Sequence, residues 1–210
     1  MITNLKDLCH ILEEERKGKN VVVAPGSFDL LHRNHLIFLE NAKKQGDILV
    51  VAVKNDKCVR LKGKNRPIFG EQDRAAMVDG IKYVDYVIIV DYDPSIIPEV
   101  VYDNQSQKEW LIMFQEVFKM LKPDIFYHEI NPVLEDVRTR AFEKYGIKGV
   151  AADRLKGIST SEIIEKIKND KWPKRRKVSF TFLLIFLLKF NFFIDKKIVL
   201  IDNIYCIKRY

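Results

Sequence analysis

The spacing of apolar and polar positions changes repeatedly along the first 170 residues of the chain. Short apolar runs typical of buried parallel strands occur at 21–24, 47–53, 84–90, 124–127 and 147–152. Between them, apolar residues recur at helical spacing over 4–17, 33–45, 71–82, 108–121, 134–145 and 159–168. Gly46 is expected to cap the second of these helices. Strands that alternate with helices predict an α/β fold, a doubly wound parallel sheet with helices on both faces.

The turn after the first strand is the expected ligand site, because open parallel sheets bind ligands at the carboxyl ends of their strands. Gly26 in this turn is expected to let the backbone approach a ligand closely. His32 and His35 are three residues apart, so they share a face of the first turn of the next helix. Free N–H groups at that helix N-terminus favour phosphate. The pattern therefore indicates a polyphosphate clamp.

Four segments carry a resemblance to a known superfamily. Residues 26–35 (GSFDLLHRNH) resemble the GxFDxxHxGH signature of the cytidylyltransferase-like nucleotidyltransferases. Residues 62–68 and 73–74 resemble the family's basic loop and arginine-bearing helix start, and 157–164 resembles its ISTT-type closing motif. The likeness covers roughly residues 20–170. It is nearest to glycerol-3-phosphate cytidylyltransferase and heptose 1-phosphate adenylyltransferase, and it implies a Rossmann-like nucleotidyltransferase fold.

The resemblance implies an enzyme that transfers CMP or AMP from CTP or ATP to a phosphorylated polyol or sugar and releases pyrophosphate. Both nucleotides remain open, with cytidylyl transfer as the first expectation. The acceptor phosphate is already anionic at neutral pH, so it needs no general base. The site is therefore expected to supply positive charge and positioning. Mg²⁺ is expected to be held mainly by the nucleotide phosphates.

The resemblance also assigns roles to individual residues. The catalytic set, expected to bind the triphosphate and stabilise the transition state, is His32, His35, Lys62 and Lys64. The nucleotide-binding set is Gly26, Ser27, Phe28, Asp29, Asn34, Arg74, Ser159, Thr160 and Ser161. Within it, Arg74 is expected to reach a phosphate and Asp29 to orient the turn or a Mg²⁺-bound water. Thr160 and Ser161 are expected to meet the outer phosphates, at a helix end that Ser159 caps.

Two departures from the family pattern leave other functions open. Asn34 stands where the family's HxGH motif has glycine, and residues 127–132 (YHEINP) stand where heptose adenylyltransferases carry a GGDY-like loop. Both favour, as an alternative, a nucleotide-binding or regulatory domain with weakened catalysis. A membrane-attached interaction protein is a third class. His128 is expected to line the acceptor pocket rather than to catalyse.

Charge and composition narrow the list of partners. The net charge of +7 comes from residues 171–210, which hold ten Lys or Arg and two Asp or Glu. The first 170 residues are therefore close to neutral, so no nucleic-acid partner is expected. Three scattered cysteines predict neither disulfides nor a zinc site, which fits a cytoplasmic protein. Trp110 begins an apolar helical stripe that predicts either core or a homodimer contact.

The last forty residues differ in character from the rest. Residues 178–194 are strongly apolar and follow the basic run 174–177, but Lys189 interrupts them. Three interpretations are open: a read-through or frameshifted tail, a membrane-associating anchor, and an ordered addition to the fold. We therefore expect a nucleotidyltransferase domain over 1–170, followed by a basic and hydrophobic tail over 171–210.

Overall fold

A computed structural model describes residues 1–153 and 157–169 of the chain. The strands are β1 (Val21–Gly26), β2 (Ile48–Lys54), β3 (Tyr86–Val90), β4 (Ile125–Glu129) and β5 (Lys148–Ala152). The helices are α1 (Leu5–Glu15), α2 (Arg33–Lys43), α3 (Asp56–Arg60), α4 (Glu71–Asp79), α5 (Gln105–Leu121), α6 (Glu135–Tyr145) and α7 (Thr160–Asn169). Residues Met1–Ile167 form one compact unit.

The five strands form one parallel sheet in the order β3-β2-β1-β4-β5. The central strand is β1, where Val23 lies opposite Val50 of β2 on one side and Phe126 of β4 on the other. The chain therefore builds outward from β1 in one direction and then, through α5, in the other. This reversal confirms the doubly wound α/β fold.

Each face of the sheet carries its own core. Val21 and Val23 pack with α1, α5 and α6 on one face. Val22 and Ala24 pack with α2 and α4 on the other. Alternate residues of a strand point to opposite faces, so a strand buried on both sides needs the uninterrupted apolar run seen at the start of β1.

The apolar stripe of α5 belongs to the core of the chain. Trp110, Met113, Phe114, Val117 and Phe118 are all buried. The Trp110 ring lies 5.5 Å from Phe114 and 5.9 Å from Phe126 of β4, measured between ring centroids. The sequence left two interpretations of this stripe, core or homodimer contact. The structure places it in the core, so the stripe gives no support for a homodimer.

Two details differ from the sequence prediction. The five-residue helix α3 was missed, because it is too short to show a periodic pattern; Asn55 caps it by accepting the N–H of Cys58 at 3.0 Å. Gly46 is not the cap of α2, which ends at Lys43 with Lys44 as its C-cap. Gly46 instead gives room to β1, since a Cβ there would lie 2.7 Å from Cγ2 of Val22.

The tail lies outside the residues that the structure describes. The boundary at residue 170 and the expectation of membrane contact through 178–194 therefore remain predictions. Within 1–153 and 157–169, no helix is both long enough and apolar enough to span a bilayer.

Candidate active site

A cavity of about 490 Å³ opens where the carboxyl ends of β1 and β4 diverge. These two strands are neighbours in the sheet, but their connections leave in opposite directions, which is the topological switch point where such folds bind ligands. The turn after β1, the ends of β2 and β4, and the start of α7 all reach it. Its walls include Gly26, Ser27, Phe28, Asp29, His35, Lys54, Lys62, Arg66, Trp110, Phe114, His128, Arg138 and Thr160.

The two histidines form a stacked pair at the start of α2. His32 is the N-cap residue, and its ring lies 3.8 Å from that of His35, between centroids, at an interplanar angle of 22°. The backbone N–H of His32 donates to Nδ1 of His35 at 3.3 Å. Because Nδ1 accepts, the proton of neutral His35 sits on Nε2, which is left as a donor.

The surroundings of both imidazoles favour the neutral form in the free protein. Burial, the adjacent His32 ring and Lys62 lower the pKa of His35 to about 4. Burial also lowers the pKa of His32, whose Nδ1 is buried and has no hydrogen-bond partner among the described residues. In the free protein, the two histidines therefore offer hydrogen-bond donors rather than positive charge.

Phe28 packs against His35, and Gly26 packs against Phe28. Phe28 adopts a left-handed backbone conformation with φ of 50° and is only 2% exposed. Its ring lies edge-on to His35, 5.4 Å between centroids. A Cβ on Gly26 would lie 2.6 Å from this ring. The glycine thus makes room for Phe28, and because Gly26 also lines the cavity, its expected close approach to a ligand stays a prediction.

Asp29 fixes the basic loop to the turn. Its carboxylate is fully buried and accepts the backbone N–H groups of Ile68 at 3.0 Å and Phe69 at 3.1 Å. Arg66 Nε lies 3.1 Å from the same carboxylate. Since these partners occupy both oxygens, Asp29 orients the turn, and the structure supports this half of its expected role over contact with a Mg²⁺-bound water.

Arg74 is fully buried, and its guanidinium is used inside the protein. It donates to the carbonyl oxygen of Phe69 at 3.0 Å and to that of Ser27, and it pairs with Asp56 at 2.8 Å. Direct contact with a phosphate was expected from the sequence. The structure instead makes Arg74 a positioning residue that ties α4 to the turn after β1.

The two lysines of the basic loop occupy different surroundings. Lys62 Nζ donates to Oγ of Ser27 at 2.7 Å, at the wall of the cavity. Lys64 is exposed, makes no hydrogen bond or ion pair with the described residues, and is not among the residues that line the cavity. Of the two, the structure brings only Lys62 to the site.

The closing motif is attached to the turn at two points. Thr160 Oγ1 donates to the carbonyl oxygen of Asp29 at 2.6 Å, and Asn34 Nδ2 donates to that of Ile158 at 2.8 Å. Ser159 caps α7, accepting the N–H of Glu162 at 3.2 Å, while the side chain of Ser161 is exposed. Asn34, the departure from the family's glycine, thus joins two motifs.

Sequence reasoning missed Lys54, and it missed Arg138 as a residue of the site. Lys54 is the last residue of β2, and its position at a strand carboxyl end was a usable signal. Arg138 lies on α6, and Nη1 bonds His128 Nδ1 and the Glu129 carbonyl oxygen, each at 2.9 Å. His128 lines the cavity, as expected. Only the fold brings α6 to this strand end.

No protein-only metal cage is present in the described part of the chain: no three His, Cys, Asp or Glu side chains cluster to hold an ion there. The Asp29 carboxylate is already occupied by hydrogen bonds. A Mg²⁺ ion at this part of the described chain would therefore need ligands from a bound nucleotide.

Sequence comparison agrees with this geometry. The sequence pattern of the cytidylyltransferase-like family matches residues 23–166. The Bifunctional protein HldE of Campylobacter fetus is 35% identical over 162 residues, which is 77% of this chain and 31% of that protein. The HldE of Citrifermentans bemidjiense is 36% identical over 169 residues, 79% of this chain and again 31% of that protein. The chain thus spans about a third of the length of these relatives.

Structural comparison supports the same fold. The pantothenate synthetase of Thermus thermophilus aligns with a TM-score of 0.57 and 15% identity, covering 78% of this chain and 67% of the other. At that identity the likeness concerns the fold alone. The family match spans the sheet, the histidine turn and the closing motif, and it shows that the chain belongs to the cytidylyltransferase-like family of nucleotidyltransferases.

Proposed function

We propose that this chain transfers AMP or CMP from the nucleoside triphosphate to a phosphorylated sugar or polyol and releases pyrophosphate. The observation that supports it most is the stacked His32–His35 pair at the N-terminus of α2, beside a cavity of about 490 Å³. That volume lies within the range of small-molecule sites. The motif resemblance to heptose 1-phosphate adenylyltransferase makes ATP with a sugar 1-phosphate the first pair to test.

The bound triphosphate would occupy the side of the cavity formed by the turn after β1 and α2. Nε2–H of His35 and the free N–H groups of α2 are donors for its phosphate oxygens. Lys62, held by Ser27, adds a cation at the same wall. A neutral imidazole gains affinity for a proton as an anion approaches, so nucleotide binding would raise the pKa of His35.

The reaction is an in-line displacement. An anionic oxygen of the acceptor's phosphate attacks the α-phosphorus, the bond to the oxygen bridging to the β-phosphorus breaks, and pyrophosphate leaves with the bonding electrons. Donors already positioned where charge develops stabilise the transition state without reorganisation. Mg²⁺ bound to the triphosphate would neutralise part of its charge.

The test is pyrophosphate release in a crossed screen. ATP and CTP are each combined with glucose 1-phosphate, mannose 1-phosphate, heptose 1-phosphate, glycerol 3-phosphate and flavin mononucleotide. We expect turnover with a sugar or polyol phosphate. Turnover with flavin mononucleotide alone would refute the acceptor class. No turnover with any pair, alongside clear nucleotide binding, would favour the binding or regulatory domain instead.

Two further assignments rest on this function. A reaction that consumes a nucleoside triphosphate suits the cytoplasm, and we propose that location for the described domain. The Asn34 substitution does not by itself argue for lost catalysis, because its amide is engaged with the Ile158 carbonyl oxygen at 2.8 Å. The weakened-domain alternative therefore loses one of its two motives.

A further inference from the structure

Lys54 has no role in the nucleotide binding proposed above. It ends β2, one residue after Val53, which lies opposite Gly26 of β1, so the strand register delivers it to the cavity wall beside the histidine turn. Lys54 makes no hydrogen bond or ion pair with any described residue. Its named neighbour is the ring of Phe114, whose centroid lies 5.9 Å from Nζ.

The surroundings of Lys54 disfavour its charge in the free protein. Burial lowers its pKa, and the charge of Arg138 lowers it further, while Cys58 and Glu109 act in the opposite direction. Lys54 is partly buried, and a partly desolvated cation without a counter-ion costs free energy that an anionic ligand can offset. Lys54 therefore has the properties of a residue kept for a ligand.

Arg138 and Trp110 complete this side of the cavity. The Arg138 guanidinium lies 5.7 Å from the Trp110 ring centroid. Nη1 of Arg138 carries the bonds to His128, Glu129 and Glu135, and Nη2 makes none with the described residues. We call this side of the cavity the α5–α6 wall; it consists of Trp110 on α5, Arg138 on α6 and Lys54 at the adjoining end of β2. It thus combines an amine cation, an aromatic surface and a guanidinium that is fixed by hydrogen bonds.

We infer that the α5–α6 wall binds the acceptor, and that Lys54 binds the acceptor's phosphate. This inference rests on the proposed function for the identity of the acceptor. The nucleotide clamp belongs to α2 and the turn after β1, so the two anions would enter from different walls. Lys54 would bring the acceptor's phosphate toward the α-phosphate and offset part of their mutual repulsion.

The experiment measures binding without turnover. The sequence has two tryptophans, Trp110 and Trp172, so a Trp172→Phe background leaves Trp110 as a fluorescent reporter in the α5–α6 wall. The probes are glucose 1-phosphate, mannose 1-phosphate and glycerol 3-phosphate, titrated in the presence of a non-hydrolysable ATP analogue. Lys54→Met is compared with Lys57→Met, which removes an exposed lysine of α3 that does not line this cavity.

Lys54→Met is expected to weaken the tightest of the three probes at least tenfold and to change the affinity for the ATP analogue less than twofold. It should also raise the Tm of the unliganded protein by roughly 2–4 °C, because a desolvated charge is removed. A lysine with only a structural role would lower Tm instead. Lys57→Met should leave all three quantities unchanged.

The inference is overturned by unchanged probe affinity in Lys54→Met, by an equal loss for probe and nucleotide, or by no binding of any probe to the wild type. Lys54→Gln repeats the titration if the methionine variant folds poorly. Failure of the proposed function is a separate outcome. Lys54-dependent probe binding without pyrophosphate release would refute the reaction and leave the acceptor wall in place.

Discussion

At the scale of single residues, the site works through neutral donors and one unpaired cation. His35 accepts a backbone N–H at Nδ1, and burial keeps its pKa at about 4. Asp29 and Arg74 are both fully buried, and their charged groups bind backbone groups of the basic loop and the turn. Among the side chains that line the cavity, His35, Lys62 and Lys54 remain to contact a ligand, with Arg138 in the α5–α6 wall.

The first residue-scale prediction concerns transition-state stabilisation by His35. His35→Ala should lower kcat by roughly 10² or more with a smaller change in KM, because its donor is positioned for charge that develops during the reaction. His10→Ala is the matched control, since that histidine is exposed on α1. Steady-state kinetics measure both. A folded His35→Ala variant with near-wild-type kcat would remove His35 from the mechanism.

The second residue-scale prediction concerns stability and pH. The folded pKa of His35 is about 4, and its unfolded value is near 6.5, so the unfolded state binds more protons between these limits. The contribution of neutral His35 to the free energy of unfolding is therefore fully present above about pH 6.5 and is lost as the pH falls toward 4. His35→Gln, which keeps an acceptor but cannot titrate, should lose roughly 2 kcal/mol less than wild type between pH 7 and 4.5. Urea unfolding at both pH values measures this, and parallel losses would contradict the lowered pKa.

At the scale of elements, the start of α7 is held by the turn after β1. Thr160 bonds the Asp29 carbonyl oxygen, and Asn34, on the first turn of α2, bonds that of Ile158. The nucleotide clamp and the closing motif are therefore one mechanical unit. The helix end of α7 can meet a phosphate only where these bonds place it.

Thr160→Val tests this unit. The substitution keeps the shape of the side chain and removes one hydrogen bond worth about 1 kcal/mol, so we expect nucleotide affinity to fall roughly fivefold. Ser161→Ala, at an exposed neighbour, should change it less than twofold. Calorimetric titration with the ATP analogue compares the two. A larger loss in Ser161→Ala would mean that a phosphate contact of Ser161, which the sequence predicts for both residues, outweighs the Thr160 bond to Asp29.

The elements also show which parts of the site the sequence can reveal. The buried strands and the His32–His35 turn were predictable, because period, glycine position and histidine spacing are local signals. The packing of Phe28 against Gly26, the role of Arg74 and the place of Arg138 in the site were not. Each depends on a neighbour distant in sequence or on a backbone twist, such as the left-handed Phe28 or the packing of α6 against β4. Residue type alone cannot separate a buried arginine that positions a turn from one that binds phosphate.

At the scale of the whole molecule, the described residues contain every element to which the proposed reaction is assigned. The sheet, both helical layers, the cavity and the closing motif all lie before residue 170. The last tie observed between the closing motif and the site is that of Thr160 to Asp29. We therefore propose the 1–170 segment as the catalytic domain, with the tail dispensable for turnover.

The last prediction separates the domain from its tail. A chain that ends at Asp170 should stay folded and keep the specific activity of the full chain, because it retains α7 and its attachment to the turn. A chain that ends at Gly157 is the matched control and should lose nucleotide affinity, since it lacks Ile158 and Thr160.

If the apolar run 178–194 meets a bilayer, only the full chain should sediment with anionic vesicles. Most of this vesicle binding should persist when the salt concentration is raised. The basic run 174–177 adds only about 1 kcal/mol per charge, so the apolar residues must provide the rest. An unfolded 1–170 chain beside a soluble, active full chain would show that the tail belongs to the fold.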